Sequence, residues 1–376
     1  MFENKKKKNL VLVPSEMADK KYIGKVYGKY HRESGVYNIF SDEIKDKIAH
    51  DEIGEIYQSK ELINDSDKLS GYWEADSLFF QLNDTCYDIK YYDMFQNIFS
   101  RNTGILESEI MRSKCVFILG CGSVGSLIAL ELARAGVGKF VLVDNDVLEY
   151  HNICRHQCSI SDVGEYKVNV LKKRIWEINP LAEVETFNTM VEMLPKEVFD
   201  DHVSKDNTIF VGCADNRAAD VYANSIAVMY KAAFISIGFW ERAFAGEIFY
   251  YLPNSNMPCY KCALGDGSGL SQRSSVNRRI YTTEENLEDV NFEPGISVDI
   301  NFVTTIGIKL ILDILNRDNE EFTPRLLGHL TQYTLICNTN NPKIGGEMAE
   351  IFSYPLQVTT SLEVTFGPNC PQCEFE

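Results

Sequence analysis

Three groups of residues have the types and spacing to do chemistry. The first is Gly120-Cys121-Gly122-Ser123-Val124-Gly125, a G-x-G-x-x-G run that follows directly on the apolar Val116-Phe117-Ile118-Leu119. In that setting Gly120 permits a tight turn, Gly122 lets backbone approach a phosphate, and Gly125 lets a helix pack closely on a strand. The second is a pair of acids at the ends of apolar runs. Asp144 ends Phe140-Val141-Leu142-Val143, where a carboxylate can take a ribose hydroxyl, and Asp215 ends the run from Thr208 through Ala214. Asp215 then points toward the same sheet edge as Gly122 and Asp144, or caps the helix that starts near Arg217. These residues predict a nucleotide site without naming the nucleotide. The third group is two C-x-x-C hooks, Cys259 with Cys262 and Cys370 with Cys373. Together they offer four thiolates to a tetrahedral, structural zinc, with a pair of redox dithiols as the alternative.

The elements that must hold these residues are legible in the apolar pattern. Leu127, Leu130 and Ala133 lie in a helix-forming segment stopped by Gly136-Val137-Gly138, and Val168, Leu171, Ile175 and Ile178 form one face of a helix over 167–178 ended by Asn179-Pro180. Strands are expected over 184–189 and 234–238, a hairpin over 240–251, a helix over 297–315, and strands over 331–337 and 362–366. Strands alternating with helices predict an α/β fold, a doubly wound, mainly parallel, Rossmann-like sheet over 96–376. The polar stretch 265–294 is too long for an ordinary connection and reads as a mobile loop near the site. Residues 1–95 read as a small, separate α+β domain for recognition, with a helix over 41–48 and a strand over 77–82. His31 and His50 lack partners at ligand spacing there. The remaining cysteines, Cys86, Cys115, Cys121, Cys154, Cys158, Cys213 and Cys337, read as small buried thiols.

Composition excludes several classes of function. The 376 residues carry a formal charge of −17, which argues against a nucleic-acid binder. No segment reaches the roughly 18 apolar residues of a membrane helix, and no signal peptide is read at the N-terminus. Eleven cysteines without a secretory signal suggest a reducing, cytoplasmic setting.

Beyond the glycine turn and the hooks, the chain carries Asp144-Asn145-Asp146, Asn152-Ile153-Cys154-Arg155-His156, Asp162-Val163-Gly164 followed by Lys167, and Ala214-Asp215-Asn216. In this order they resemble the ThiF/MoeB/HesA family, adenylating relatives of ubiquitin-activating enzymes, from about residue 97 onward. The resemblance implies ATP and Mg²⁺, with attack of a C-terminal carboxylate on the α-phosphate. It implies that Arg155 and Lys167 neutralise phosphate charge, that Asp215 holds the magnesium, that Asp144 takes the ribose, and that Asn152 and Asp146 bind polar groups nearby. Phe99-Ser100-Arg101-Asn102 looks like the family element whose arginine reaches a neighbouring subunit's ATP, so Arg101 implies a homodimer. His156 stands where many members have Gln. No cysteine occurs between Ala263 and Ile336, where thioester-forming members place theirs, so adenylation alone is expected; a thioester on another cysteine and a non-catalytic nucleotide-binding scaffold are the alternatives. The extra N-terminal domain is similar to that of peptide-modifying MccB-type enzymes. The implied partner is therefore a ubiquitin-like or sulfur-carrier protein, or a short ribosomal peptide.

Overall fold

The computed structural model describes residues 8–64, 67–204, 207–214, 216–264, 294–357, 360–367 and 370–373. The chain divides into two compact units, one of residues 1–103 with 179–181, the other of 104–178 with 182–376.

The first unit is a closed barrel of seven strands: β1 (Leu10–Pro14), β2 (Gly24–His31), β3 (Val36–Ile39), β4 (Asp51–Tyr57), β5 (Leu69–Glu74), β6 (Ser77–Leu82) and β7 (Thr85–Tyr92). Closure comes from β1, which pairs in parallel with both β3 and β7. Val11, Val13, Val26, Ile39, Ile56 and Phe80 fill the interior. Strand β6 lies where the apolar pattern put it, but the α+β reading of this region is corrected, because among the described residues its α-helices are the short Ser15–Asp19 and Met94–Phe99. The helix expected over 41–48 is a run of turns. Of its side chains Ile44 is the deeply buried apolar anchor, at 1% exposure. One such anchor does not offset the cost of nucleating a helix.

The second unit is built on an eight-stranded sheet. Its strands are β8 (Cys115–Leu119), β9 (Lys139–Val143), β10 (Glu183–Phe187), β11 (Thr208–Gly212), β12 (Ala233–Phe239), β13 (Ala245–Tyr251), β14 (Tyr333–Cys337) and β15 (Thr360–Leu362), in the order 10-9-8-11-12-13-14-15. From β10 to β12 all pairs are parallel; from β12 to β15 all are antiparallel. Strand β8 is buried on both faces. Val116 and Ile118 join a core with the Ser123–Arg134, Lys167–Ile178 and Ser297–Leu315 helices, while Phe117 and Leu119 join another with Phe199, Phe210 and Ala223. The order reverses between β8 and β11, so their connections leave in opposite directions and a crevice opens at their carboxyl ends.

The hairpin expected over 240–251 has β12 as its first arm, with residues 240–244 as the turn. The strand expected over 362–366 is shorter, since β15 ends at Leu362. The loop expected over 265–294 lies, except for Pro294, outside the described residues.

Candidate functional site

The connection from β8 to the Ser123–Arg134 helix is shaped by three glycines. Gly120 has φ +101°, and a Cβ on it would stand 2.7 Å from the backbone nitrogen of Ala214. Both the left-handed backbone and the close approach of the β11 end require glycine. A Cβ on Gly125 would meet the Gly120 carbonyl oxygen at 1.9 Å, whereas one on Gly122 would meet nothing within 4 Å. Gly120 and Gly125 therefore make the turn, and Gly122 faces open space. Gly122 is the N-cap and supplies no side-chain hydrogen bond to the amides of the first turn.

Asp144 ties this turn to the end of β9. Its Oδ2 accepts from the Cys121 amide at 2.7 Å and its Oδ1 from the Asp146 amide at 2.8 Å. Each carboxylate oxygen has two acceptor positions, so both can still receive a hydroxyl. The Lys167 ammonium donates to Asp146 Oδ2 at 2.7 Å, with the lysine side chain 10% and the aspartate 60% exposed. An ammonium has three donors, and this pair uses one.

Asn152 shapes the next segment. Its Oδ1 accepts from the Glu149 amide at 2.9 Å in a reciprocal capping box, and its carbonyl accepts from the amides of Arg155 and His156. His156 then reaches back to the glycine turn. The Cys158 amide donates to His156 Nδ1 at 3.2 Å, which leaves the ring proton on Nε2 to be donated to the Cys121 carbonyl at 2.7 Å. Burial lowers the pKa of this histidine from its ordinary value, with the Cys121 hydrogen bond opposing and the Lys167 charge adding to the shift. The ring is thus a neutral bracket between Arg155's segment and the turn. The sequence offered no sign of this role beyond a histidine in place of glutamine.

A cleft of about 510 Å³ opens at this edge, and Gly120, Gly122, Asp144, Asp146, Asn152, Arg155 and Lys167 all line it. Gly125 acts behind it in helix packing. Asp215 lies outside the described residues, but its neighbours Ala214 and Asn216 line the cleft. Asn216 caps the Arg217–Met229 helix, its Oδ1 accepting from the Ala218 amide at 2.9 Å. Arg101 belongs to the first unit, exposed in the turn after the Met94–Phe99 helix. Sequence reading missed the rest of the lining, Thr189 to Glu192 after β10 at one end and Ile237, Phe239, Trp240 and Ala243 at the β12 end with Ile300 at the other. Their one available signal was position, at the carboxyl ends of predicted strands.

The four cysteines of the hooks meet away from this cleft. Cys259 Sγ is 3.7 Å from Cys262 Sγ and 3.6 Å from Cys370 Sγ, Cys262 and Cys373 are 3.6 Å apart, and all four sulfurs lie within 4.8 Å of one another. Tetrahedral zinc with Zn–S bonds of about 2.3 Å needs sulfurs about 3.8 Å apart. The set fits that ion. The Gly367 amide also donates to Cys262 Sγ at 3.2 Å, an outer hydrogen bond suited to a thiolate. Burial raises the Cys259 thiol, and a cation is what would offset that cost. Of the other cysteines, Cys115, Cys121, Cys158 and Cys337 are buried and Cys213 is half-buried, but Cys86 and Cys154 are exposed, which corrects the uniform reading as buried thiols. Their segments, strand β7 and a short loop, face solvent at those positions.

Comparison with known proteins agrees with this geometry. Residues 96–343 match the ThiF family. The chain belongs to the ThiF family. Among curated relatives, ubiquitin-like modifier-activating enzyme 5 of Caenorhabditis elegans is 28% identical over 177 residues, 45% of this chain and 42% of that protein. The counterpart of Drosophila simulans is 31% identical over 169 residues, 42% of this chain and 41% of that protein. The adenylyltransferase and sulfurtransferase UBA4 of Scheffersomyces stipitis is 28% identical over 161 residues, 42% of this chain and 35% of that protein. The chain thus spans less than half the length of these relatives. Among solved structures, E. coli MccB with AMPCPP and MccA is 18% identical with a TM-score of 0.51, covering 74% of each chain. That likeness is one of fold. Among the described residues no helix is long and apolar enough to cross a membrane.

Proposed function

We propose that this ThiF-family chain is an adenylyltransferase. It activates the C-terminal carboxylate of a ubiquitin-like or sulfur-carrier protein, or of a ribosomal peptide, with ATP and Mg²⁺. The observation that carries this reading is the convergence of Lys167 and Arg155 with the glycine turn and Asp144 in one cleft. In the reaction a carboxylate oxygen of the acceptor bonds to the α-phosphorus of ATP, the bond to the β-phosphate oxygen breaks, and pyrophosphate leaves. Such a transfer needs placement and neutralisation of phosphate charge. The open side of Gly122 and the first-turn amides receive phosphate, Asp144 receives the ribose hydroxyls, and Asn152 holds the segment that carries Arg155. Lys167 and Arg155 offset the charge that gathers on the leaving pyrophosphate. Asp215 would hold Mg²⁺, which supplies further neutralisation of the phosphates. The Cys259, Cys262, Cys370 and Cys373 set would hold Zn²⁺ as a structural tie between chain segments. The barrel unit would recognise the acceptor, and Arg101 would complete a neighbouring subunit's site in a homodimer.

The test is acceptor-dependent exchange of labelled pyrophosphate into ATP, with small proteins ending in Gly-Gly set against short peptides. Exchange with either class supports adenylation and tells carrier activation from peptide modification. ATP binding without exchange across both classes overturns the reading in favour of a scaffold. Asp215→Ala is expected to abolish exchange with the fold intact; normal exchange in that variant removes the metal assignment.

A further inference from the structure

The cleft is electrically lopsided. Among the described residues, its charged lining, from Asp144 to Glu192, comes from the segments that follow β9 and β10, where the adenylation reading puts the nucleotide. From the β12 end onward the described lining carries no charge, and its large side chains are Ile237, Phe239, Trp240 and Ile300. The carboxylate must approach the α-phosphorus from the side opposite the leaving pyrophosphate. Its chain therefore lies at the uncharged end.

Trp240 is fixed there by a buried network. Its indole N–H donates to Glu247 Oε2 at 2.9 Å, which also accepts from the Tyr333 hydroxyl at 2.9 Å. Glu247 Oε1 accepts from Arg217 Nη2 at 2.9 Å, with the two side chains 3% and 13% exposed. The indole has a single donor, and it is spent inside the protein, so its apolar surface is what the cleft receives. The ring also packs edge-on against Phe244, centroids 5.7 Å apart. The turn beyond it is held in an unfavourable shape. Arg242 and Ala243 have φ of 58° and 53°, values that hairpin turns usually give to Asn and Gly. Asn338 pins this turn by donating to the Ala243 carbonyl at 2.7 Å.

We infer that Trp240 is a specificity-determining wall for the acceptor, that Glu247 is its positioning residue, and that the acceptor's last residue is uncharged. A charged side chain at this end would lose hydration against Ile237, Trp240 and Ile300 with no partner in the described wall. The inference rests on the adenylation reading and adds the chemical class of the residue being activated.

The experiment is pyrophosphate exchange with two probes, a ubiquitin-fold protein ending in Gly-Gly and a heptapeptide, each made with Gly, Asn, Asp or Lys as its last residue. Wild type is expected to use the Gly and Asn forms and to reject the Asp and Lys forms. Trp240→Ala is expected to raise the acceptor KM about tenfold or more, and Trp240→Phe and Glu247→Gln, which lose or weaken the indole hydrogen bond but keep an aromatic wall, to raise it by less, all with the ATP KM within about twofold. Equal use of charged and uncharged termini by wild type overturns the inference and leaves adenylation standing. So does an unchanged acceptor KM in both Trp240→Ala and Glu247→Gln. If Glu247→Gln fails to fold, Trp240→Ala and Trp240→Phe carry the test, because that side chain is only partly buried and lines the cleft, packed against the core rather than inside it. Absence of exchange by wild type with every probe overturns the adenylation reading and this inference with it.

Discussion

The glycine turn and the cysteine quartet lie in the same unit but are assembled in opposite ways. The turn and its charged partners come from one continuous stretch, Gly120 to Lys167, tied together by the Asp144 bond to Cys121 and the Lys167 bond to Asp146. The quartet joins hooks 111 residues apart in the chain. Closing so long a loop costs only slightly more than closing a short one, because the entropy grows with the logarithm of length. What the quartet needs is an ion to hold four thiolates together. On the proposed reading, the cationic side chains near the turn serve a reaction, whereas the quartet's thiols serve the fold. Damage to the first should appear in rate, and damage to the second in melting.

Lys167→Ala is the sharpest break. Pyrophosphate exchange is expected to fall by about 10³-fold with a much smaller change in ATP affinity and a melting temperature near wild type. Equal losses in rate and affinity would show that Lys167 binds nucleotide without favouring the transition state. Cys370→Ser, or chelation, should do the reverse. Bound zinc is lost and the melting temperature drops by about 10 °C or more, while exchange per folded molecule at low temperature is kept. A zinc-free protein that melts like wild type would end the structural-tie reading. Gly122→Ala separates binding from folding within the turn itself. With nothing within 4 Å of the new methyl the fold should hold, and calorimetric ATP affinity should fall; unchanged affinity would move the phosphates away from Gly122.

The smallest effect concerns His156. Its pKa is lowered from 6.5 by burial, with Lys167 lowering it further and Asp144 and Asp162 opposing. The unfolded chain therefore takes up a proton that the folded chain refuses. The stability this neutral ring supplies is present above the unfolded value of about 6.5 and is lost as pH falls from there toward the folded value. Denaturant midpoints between about pH 7.5 and 5.5 should fall in wild type more than in His156→Gln, which keeps a donor and an acceptor. Parallel curves would assign the acid sensitivity elsewhere.

Legibility in the sequence followed the same division. The helix Lys167–Ile178 was readable because its apolar residues recur every three to four positions, and Ser297–Leu315 was expected as a helix too. Strands β8 and β11, apolar throughout, were equally plain. The barrel was not, because strands such as β1 place only two or three side chains inside, and Ser41 to Ile48 mimics a helix in composition. At the cleft, the glycines and Asp144 were visible as types at fixed spacing. The apolar wall was not, since Ile237, Trp240 and Ile300 are ordinary hydrophobic residues until the chain folds.

Read alone, the sequence determined the elements whose chemistry is local: the turn that only glycine can make, the acid at the end of β9, the long helices, and the pairing of two thiols within each hook. Tertiary structure decided which distant segments meet. It closed β1 against β7, brought Cys259 to Cys370, set His156 under the Cys121 carbonyl, and turned Glu247 toward both Arg217 and Trp240. The physical reason is that spacing along a chain sets geometry over only a few residues. Beyond that range, partners are chosen by the burial of the whole apolar surface and by the need of each buried polar group for a hydrogen bond.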